Sequence, residues 1–215
     1  MVCMKFRDRT DAGKLLAEKL AEGGYSHDAL VLGVPRGGVI LADIVAKRLG
    51  AEFDIVIPRK MGAPHNEELA IGAVMEDGTS YINKYLVDAL RISKEYVENE
   101  KARQTAEIRR RMDVYRKASD YNLFGKKVIL VDDGIATGAT IIASARWLKK
   151  HSPLAVVIAV PVAPPQSTEQ LEDEADSVIV MLMPRDFSSV GQFYEEFLPV
   201  SDEQVTRVMR ARGLL

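Results

Sequence analysis

Residues 128–140, VILVDDGIATGAT, decide the fold of this chain and indicate where its site lies. The run 128–131 is aliphatic throughout, which is typical of a strand buried on both faces of a parallel sheet. Two carboxylates, Asp132 and Asp133, end this run. Small and hydroxylated residues then lead into a stretch from Ile141 with the spacing of an amphipathic helix. The segment therefore predicts a strand, a tight loop and a helix N-terminus.

A loop between a strand and a helix N-terminus is suited to binding an anion. Its unpaired backbone N–H groups and the helix dipole both favour negative charge in the same space. Two acids beside a phosphate would repel it unless they hold hydroxyl groups or a cation. The segment thus indicates a site for a phosphorylated sugar with Mg²⁺ rather than for bare phosphate.

Length, charge and cysteine content indicate one ordinary intracellular domain. The chain has 215 residues and a formal net charge of −2, so no global basic field would attract nucleic acid or an anionic membrane. The single Cys3 excludes an intramolecular disulfide and favours a reducing cytoplasm. The N-terminus has no apolar secretory stretch, and the apolar run 154–163 is too short to span a bilayer.

Strand and helix patterns alternate along the chain. A first helix, capped by Thr10 or Asp11, precedes apolar runs that we interpret as buried strands at 29–34, 53–57, 128–131, 154–160 and 178–182. Helical patterns lie between these runs, so we predict a doubly wound α/β sheet with four or five parallel strands. Ligands of such sheets bind beyond the carboxyl ends of the strands, where residues 35–38 and 132–140 lie.

Two segments after the second strand carry turn signals. Residues 59–67 lack periodicity and contain Gly62 and Pro64, so we predict a mobile loop. Apolar stretches at 69–75 and 79–82 flank an Asp-Gly pair, which predicts a hairpin.

The remaining segments are helical or rich in aromatic residues. Residues 84–117 are highly charged, and we predict two helices that meet near Ser93. After Pro184 the sequence turns to aromatics and turn residues and ends in a short helix with a capping box from Ser201 to Gln204.

The acidic motif resembles the phosphoribosyl pyrophosphate (PRPP) motif of type I phosphoribosyltransferases, in which a Thr/Gly-rich loop follows the acids. The resemblance is greatest to small bacterial and archaeal members without an assigned acceptor. It implies a doubly wound, mostly parallel α/β sheet with a small hood and a helical insertion. It also implies Mg²⁺-dependent transfer of ribose 5-phosphate from PRPP to a nitrogenous base, as in nucleotide salvage.

The resemblance assigns roles to the motif. Asp132 and Asp133 would hold the ribose hydroxyls and act in catalysis, with Mg²⁺ bound through PRPP near them. The remaining PRPP-binding residues of this segment would be Gly134, Ala136, Thr137, Gly138, Ala139 and Thr140, the last five around the 5′-phosphate.

Two further segments gain a role beside this motif. Gly-Gly between a strand and a helix is by itself more often only a turn, but here Arg36, Gly37 and Gly38 resemble the pyrophosphate loop of the family, and a guanidinium suits diphosphate. Arg59 and Lys60 begin the predicted mobile loop, which would close over pyrophosphate and bring a cation to the transition state.

The acceptor is less specified by the sequence. Phe187, Phe193 and Tyr194 could grip a base in the hood, although core packing explains these aromatics equally well. Hypoxanthine and guanine members usually carry Asp where this chain has Ala136 and Lys where it has Ala139, which argues against a 6-oxopurine. The Ala-Thr-Gly-Ala-Thr loop is also similar to the corresponding loop of family members that act on adenine.

The organisation that the resemblance implies is a single domain over residues 1–215. Its core would cover about 11–83 and 122–183, with a charged helical insertion at about 84–121 and a hood at about 184–215. Glutamates precede the basic run near the end of the insertion, which includes Lys117, so we interpret it as a solvated, ion-paired helix rather than a nucleic-acid surface. A dimer contact is one role for the long charged segment 84–117 as a whole, and we expect a homodimer.

Two other functions stay open. A PRPP or nucleotide sensor could keep this fold without turnover, as some regulators in the family do. A receiver-like phosphoacceptor would place its acids near the first strand, whereas this pair lies mid-chain at Asp132 and Asp133.

Overall fold

The computed structural model describes residues 5–116 and 120–215, so Cys3 and Lys117 lie outside the described residues. The elements, in chain order, are α1 (Arg9–Glu22), β1 (Ala29–Gly33), α2 (Gly37–Leu49), β2 (Glu52–Ile55), β3 (Arg59–Ala63), β4 (Asn66–Val74), β5 (Ser80–Ile82), α3 (Lys84–Ala89), α4 (Lys94–Tyr115), β6 (Lys127–Val131), α5 (Ala139–Lys150), β7 (Ala155–Val162), α6 (Pro165–Glu172), β8 (Ser177–Leu182), a 3₁₀ turn (Val190–Phe193) and α7 (Asp202–Ala211).

The central sheet has five parallel strands in the order β2-β1-β6-β7-β8, which confirms the predicted doubly wound α/β sheet. The strand order reverses between β1 and β6, where Gly33 pairs with Val131. Doubly wound sheets bind ligands at such a reversal, beyond the carboxyl ends of the strands. Residues 35–38 and 132–140 follow these two strands, and the fold therefore brings them together.

Each face of the central sheet has its own core. In β1, Val31 packs with the cluster under α1 and α2, whereas Leu30 and Leu32 pack with the cluster under α5, around Trp147. All five residues of β1 are buried because helices cover both faces. The strand ends that carry the site thus rest on a rigid, two-sided support.

A second, antiparallel sheet in the order β3-β4-β5 stands beside the first. The mobile loop predicted for residues 59–67 is wrong, because most of it forms the β3–β4 hairpin, which reverses at Pro64 and His65. Buried Met61 and a hydrogen bond of 3.0 Å from the Tyr96 hydroxyl to the Gly62 carbonyl anchor this hairpin to α4. The predicted β4–β5 hairpin is confirmed.

The helices predicted at 84–117 and near the C-terminus agree with the structure, whereas the predicted cap of α1 does not. Ser93 caps α4, so α3 and α4 meet where the sequence indicated, and Ser201 with Gln204 forms the predicted capping box of α7. The cap of α1 is neither Thr10 nor Asp11, because the Asp8 carboxylate accepts the Asp11 N–H at 2.8 Å. The boundaries of core, insertion and hood stay predictions.

Candidate active site

The acidic pair at the end of β6 is held by groups from both ends of the chain. The Asp133 N–H donates to Asp132 Oδ1 at 2.8 Å, and Arg9 Nε donates to Asp133 Oδ2 at 2.7 Å. Arg9 Nη1 also donates to the Leu198 carbonyl at 2.6 Å. The Tyr194 hydroxyl donates to the Asp133 carbonyl at 2.6 Å. Sequence reasoning did not identify Arg9 as part of the site.

Both carboxyl groups carry perturbed pKa values. Burial raises the pKa of Asp132 well above its usual range, and the adjacent Asp133 carboxylate raises it further. Burial also raises the pKa of Asp133, although Arg9 offsets part of that effect. A cation or a set of hydroxyl donors would therefore stabilise the ionised pair.

The Gly-Gly loop at the start of α2 packs directly on the acids. A Cβ on Gly37 would lie 1.8 Å from Asp133 Oδ2, and one on Gly38 would lie 2.6 Å from the Val131 carbonyl oxygen. These distances leave no room for any side chain, so the packing alone requires both glycines. The structure thus brings the predicted pyrophosphate loop against the acidic motif.

Arg36 lies at the start of α2 with its side chain half-exposed. Its Nη1 is 3.7 Å from Asp202 Oδ1 at the start of α7, and the Tyr115 hydroxyl donates to the same oxygen. Burial, with help from Asp202, raises the pKa of Tyr115 to about 12, so this phenol stays protonated. Arg36 therefore belongs to the loop that packs on the acidic pair, but its guanidinium points toward Asp202 of α7.

Residues 136–140, which the resemblance predicts to bind the 5′-phosphate and which we call the phosphate loop, form one wall of a cavity of about 200 Å³, the phosphate-loop cavity. Gly138 adopts a left-handed conformation with φ of 76°, and within the described part of the chain no side chain caps α5. Helix geometry leaves the N–H groups of Ala139 and Thr140 without intrahelical acceptors. They are available to an anion. The lining consists of Lys60, Ala70, Gly134, Ile135, Ala136, Thr137, Gly138, Ala139, Thr140 and Val190.

The two basic residues of β3 face opposite ways. Lys60 lines the phosphate-loop cavity and forms an ion pair of 3.0 Å with Glu68. Arg59 Nε instead donates to the Gln104 amide oxygen at 2.9 Å, on the side covered by α4. Successive side chains of a strand alternate between faces, so only one of the pair can reach the loop. The structure does not bring Arg59 to the predicted site.

The aromatic residues of the predicted hood serve mainly in packing. Phe193 and Tyr194 are 1% and 3% exposed, which excludes both as open stacking surfaces for a base. Tyr194 instead supports the backbone of Asp133 through its hydroxyl. Phe187 is half-buried and stacks on Phe193 with ring centroids 5.5 Å apart, so its inner face is occupied.

A second cavity, of about 520 Å³, adjoins the phosphate loop and was not predicted. It shares Lys60 and Thr137 with the first cavity and extends between α3 and α6. The Ser167 hydroxyl at its wall donates to the Ala136 carbonyl at 2.5 Å, which fixes the loop from behind.

A metal at this site would need ligands from a substrate. Among residues 5–116 and 120–215 no group of three His, Cys, Asp or Glu side chains is arranged to hold a metal ion by itself. The oxygen atoms of Asp132 and Asp133 suit Mg²⁺, which prefers carboxylates combined with phosphate oxygens and water. The residues therefore fit a magnesium–diphosphate complex rather than a resident metal.

Comparison with known proteins places this geometry in a family. The sequence profile of the phosphoribosyl transferase domain matches residues 9–194. Two Mycobacterium tuberculosis proteins, MT0597 and Rv0571c, both provisionally named phosphoribosyl transferases, are 39% identical over 201 residues. That match covers 93% of this chain but only 45% of theirs, so the chain spans under half the length of these curated relatives.

Two solved structures resemble this chain over most of its length. TT1426 from Thermus thermophilus is 45% identical, with a TM-score of 0.79, over 96% of this chain and 98% of that chain. AQ2163 from Aquifex aeolicus is 16% identical with a TM-score of 0.50 over 80% of this chain and 73% of that chain, a likeness of fold alone. In the described residues, no helix has both the length and the apolar character needed to cross a membrane. The chain belongs to the phosphoribosyl transferase domain family and has the type I phosphoribosyltransferase fold.

Proposed function

We propose that the chain transfers ribose 5-phosphate from PRPP to a nitrogenous base and releases pyrophosphate, as a nucleotide salvage enzyme. The observation that carries this proposal is the meeting of three elements at the β1–β6 strand ends. They are the acidic pair, the uncapped N-terminus of α5 and the Gly37-Gly38 loop. A sugar that carries both a phosphate and a diphosphate has the groups that these three elements recognise.

The residues have distinct roles in this mechanism. Asp132 and Asp133 hold the ribose 2′- and 3′-hydroxyls and offset the positive charge that develops at C1. The backbone N–H groups at the start of α5 and the hydroxyls of Thr137 and Thr140 bind the 5′-phosphate. Gly37 has no room for a Cβ beside Asp133, so it lets the predicted pyrophosphate loop lie directly against the acidic pair. Mg²⁺ bound with PRPP supplies positive charge to the leaving pyrophosphate.

Two basic residues assist the departure of pyrophosphate. Lys60 faces the phosphate loop and becomes free to bind the leaving group when its exposed ion pair with Glu68 opens. Arg36 is half-exposed and its contact with Asp202 spans 3.7 Å, so its guanidinium can turn to the diphosphate at small cost.

The alternative is a PRPP-binding regulator without turnover. Such a regulator would use the same acidic pair, so the Arg9–Asp133 ion pair does not by itself separate it from a transferase. Pyrophosphate release, measured across a panel of purines, pyrimidines and their analogues with PRPP and Mg²⁺, separates the two. Release with one base supports the transferase. Tight PRPP binding without release for any base supports the regulator. A homodimer and a cytoplasmic location stay predictions from the sequence.

A further inference from the structure

An arginine-rich cavity of about 440 Å³ lies on the face of β3 that is turned away from the phosphate loop. Arg59 contributes to it from β3, and α4 supplies the other lining residues: Arg103, Gln104, Ala106, Glu107 and Arg110. The transfer mechanism uses none of these side chains.

The charges around this cavity do not balance. Arg103 pairs with Glu100 and Glu67, while Arg110 and Arg111 share Glu107. Counting Arg59, the cavity and its immediate surroundings hold four guanidinium groups and three carboxylates. The excess positive charge belongs to Arg59, since within the described residues no carboxylate lies within 4.0 Å of its nitrogen atoms.

Arg59 is held in place but not neutralised. Its guanidinium is half-buried, and its hydrogen bond of 2.9 Å goes to the neutral amide oxygen of Gln104, itself fixed by a 2.8 Å bond to Glu100. Burial lowers the pKa of Arg59, the charges of Arg111 and Arg103 lower it further, and the carboxylates of Glu107 and Glu100 offset part of the effect. The guanidinium stays protonated, as it does in proteins generally. A half-buried guanidinium with no carboxylate in direct contact is stabilised further by an anion that contacts it.

We propose that this cavity binds the phosphate group of a small phosphorylated molecule, with Arg59 as the central donor and Arg103 and Arg110 at the rim. A phosphate dianion supplies the missing negative charge, and its oxygens match the donors of a guanidinium. The cavity volume exceeds that of inorganic phosphate, so an organic substituent fits beside the anion. The flanking glutamates repel an extended nucleic-acid backbone.

This site is separate from the phosphate-loop cavity, and it is linked to that cavity through β3. Arg59 and Lys60 are neighbours in sequence but face opposite sides of the strand. The hairpin is joined to α4 next to the proposed site, where the Gly62 N–H lies 3.4 Å from Glu100 Oε1. An anion between Arg59 and α4 therefore stabilises the same hairpin that presents Lys60, whether or not the chain is a transferase.

The test is calorimetric titration of the full chain with inorganic phosphate and with glycerol 2-phosphate, at constant ionic strength. Arg59→Gln keeps an N–H donor at the position of the Arg59 Nε, which donates to Gln104, but removes the positive charge. Lys60→Gln is the matched control on the opposite face of β3. We expect Arg59→Gln to weaken one binding event about tenfold or more, whereas Lys60→Gln leaves that event in place. Glycerol 2-phosphate binding at least as tightly as phosphate assigns the site to organic phosphates, and weaker binding assigns it to the free ion.

Arg110→Gln guards against a folding defect, since Arg110 is exposed at the rim and its loss leaves β3 intact. We expect a smaller weakening of the same event in this variant. Phosphate binding that is identical in wild type, Arg59→Gln and Arg110→Gln would overturn the proposal. A self-association that depends on Arg59 without any phosphate event would overturn it as well, because a second copy would then supply the counterion.

Discussion

Arg9 Nε lies 2.7 Å from Asp133 Oδ2, an ion pair that joins the first turn of α1 to the end of β6 across 124 residues. The two side chains are 12% and 15% exposed, so water screens the contact weakly. The Phe197 ring lies under the guanidinium, 3.8 Å from its carbon. Arg9 thus offsets part of the effect of burial on the pKa of Asp133 before any substrate binds.

A double-mutant cycle measures this relationship. We expect Arg9→Gln and Asp133→Asn each to lower the free energy of unfolding, with a coupling energy of about 0.5–3 kcal/mol because each variant leaves the other partner buried and unpaired. Urea denaturation of the four proteins gives the value. Additive losses would show that the ion pair contributes nothing to stability.

Replacement of Asp132 should separate stability from binding. Its folded-state pKa is raised by burial, so its ionisation opposes folding, and the stability of the ligand-free protein falls as pH rises from the unfolded pKa through the folded one. Asp132→Asn removes that ionisation, and we expect a higher free energy of unfolding at neutral pH. The same variant should lose Mg²⁺-dependent PRPP binding.

The pH dependence provides the control for that prediction. Denaturation curves of wild type, collected without PRPP or Mg²⁺, should lose stability with rising pH more steeply than those of Asp132→Asn. Parallel pH profiles for the two proteins would show that the Asp132 carboxyl is not perturbed in the way its burial indicates.

Gly37→Ala tests the close packing of the two loops. The added methyl would lie 1.8 Å from Asp133 Oδ2, so the carboxylate or the start of α2 must move, and overpacking of this kind costs about 1–3 kcal/mol. Gly23→Ala is a suitable control, because its Cβ would meet atoms no closer than 3.4 Å. Equal stability and PRPP affinity for the two variants would show that the loops separate easily.

Lys60 and Arg59 lie on opposite faces of β3, so we expect their replacement to change turnover by different amounts. Lys60 lines the phosphate-loop cavity and Arg59 does not. Lys60→Ala should lower turnover roughly tenfold or more, about 1.4 kcal/mol of barrier, with little change in PRPP affinity, since a charge that binds the leaving group acts mainly in the transition state. Steady-state rates should fall less in Arg59→Ala. A larger loss in Arg59→Ala would mean that the hairpin rotates in the working enzyme.

Much of the site could be predicted because its signals are local. The strand, loop and helix around Asp132 follow each other without interruption, and the apolar run 128–131 predicts the strand that precedes the loop. The position of residues 35–38 beside this loop then follows from parallel strand pairing. The cap of α1 was predicted at Thr10 or Asp11 but is Asp8, because all three side chains carry oxygen acceptors and the sequence does not distinguish them.

The remainder depends on contacts that no local pattern reveals. Residues 59–67 contain glycine and proline and look like a loop, but pairing with β4 and cover from α4 make most of them a hairpin. The opposite orientations of Arg59 and Lys60 follow only once that segment is known to be a strand. Arg9 has no sequence signal that points to Asp133, since its role arises from a contact between distant segments.

The most direct test of the central claim is PRPP binding by calorimetry with Mg²⁺, in wild type and in the double variant Asp132→Asn with Asp133→Asn. The wild type should bind PRPP only when Mg²⁺ is present, and the double variant should lose this binding while its unfolding transition stays cooperative. Unchanged PRPP affinity in a folded double variant would contradict the account.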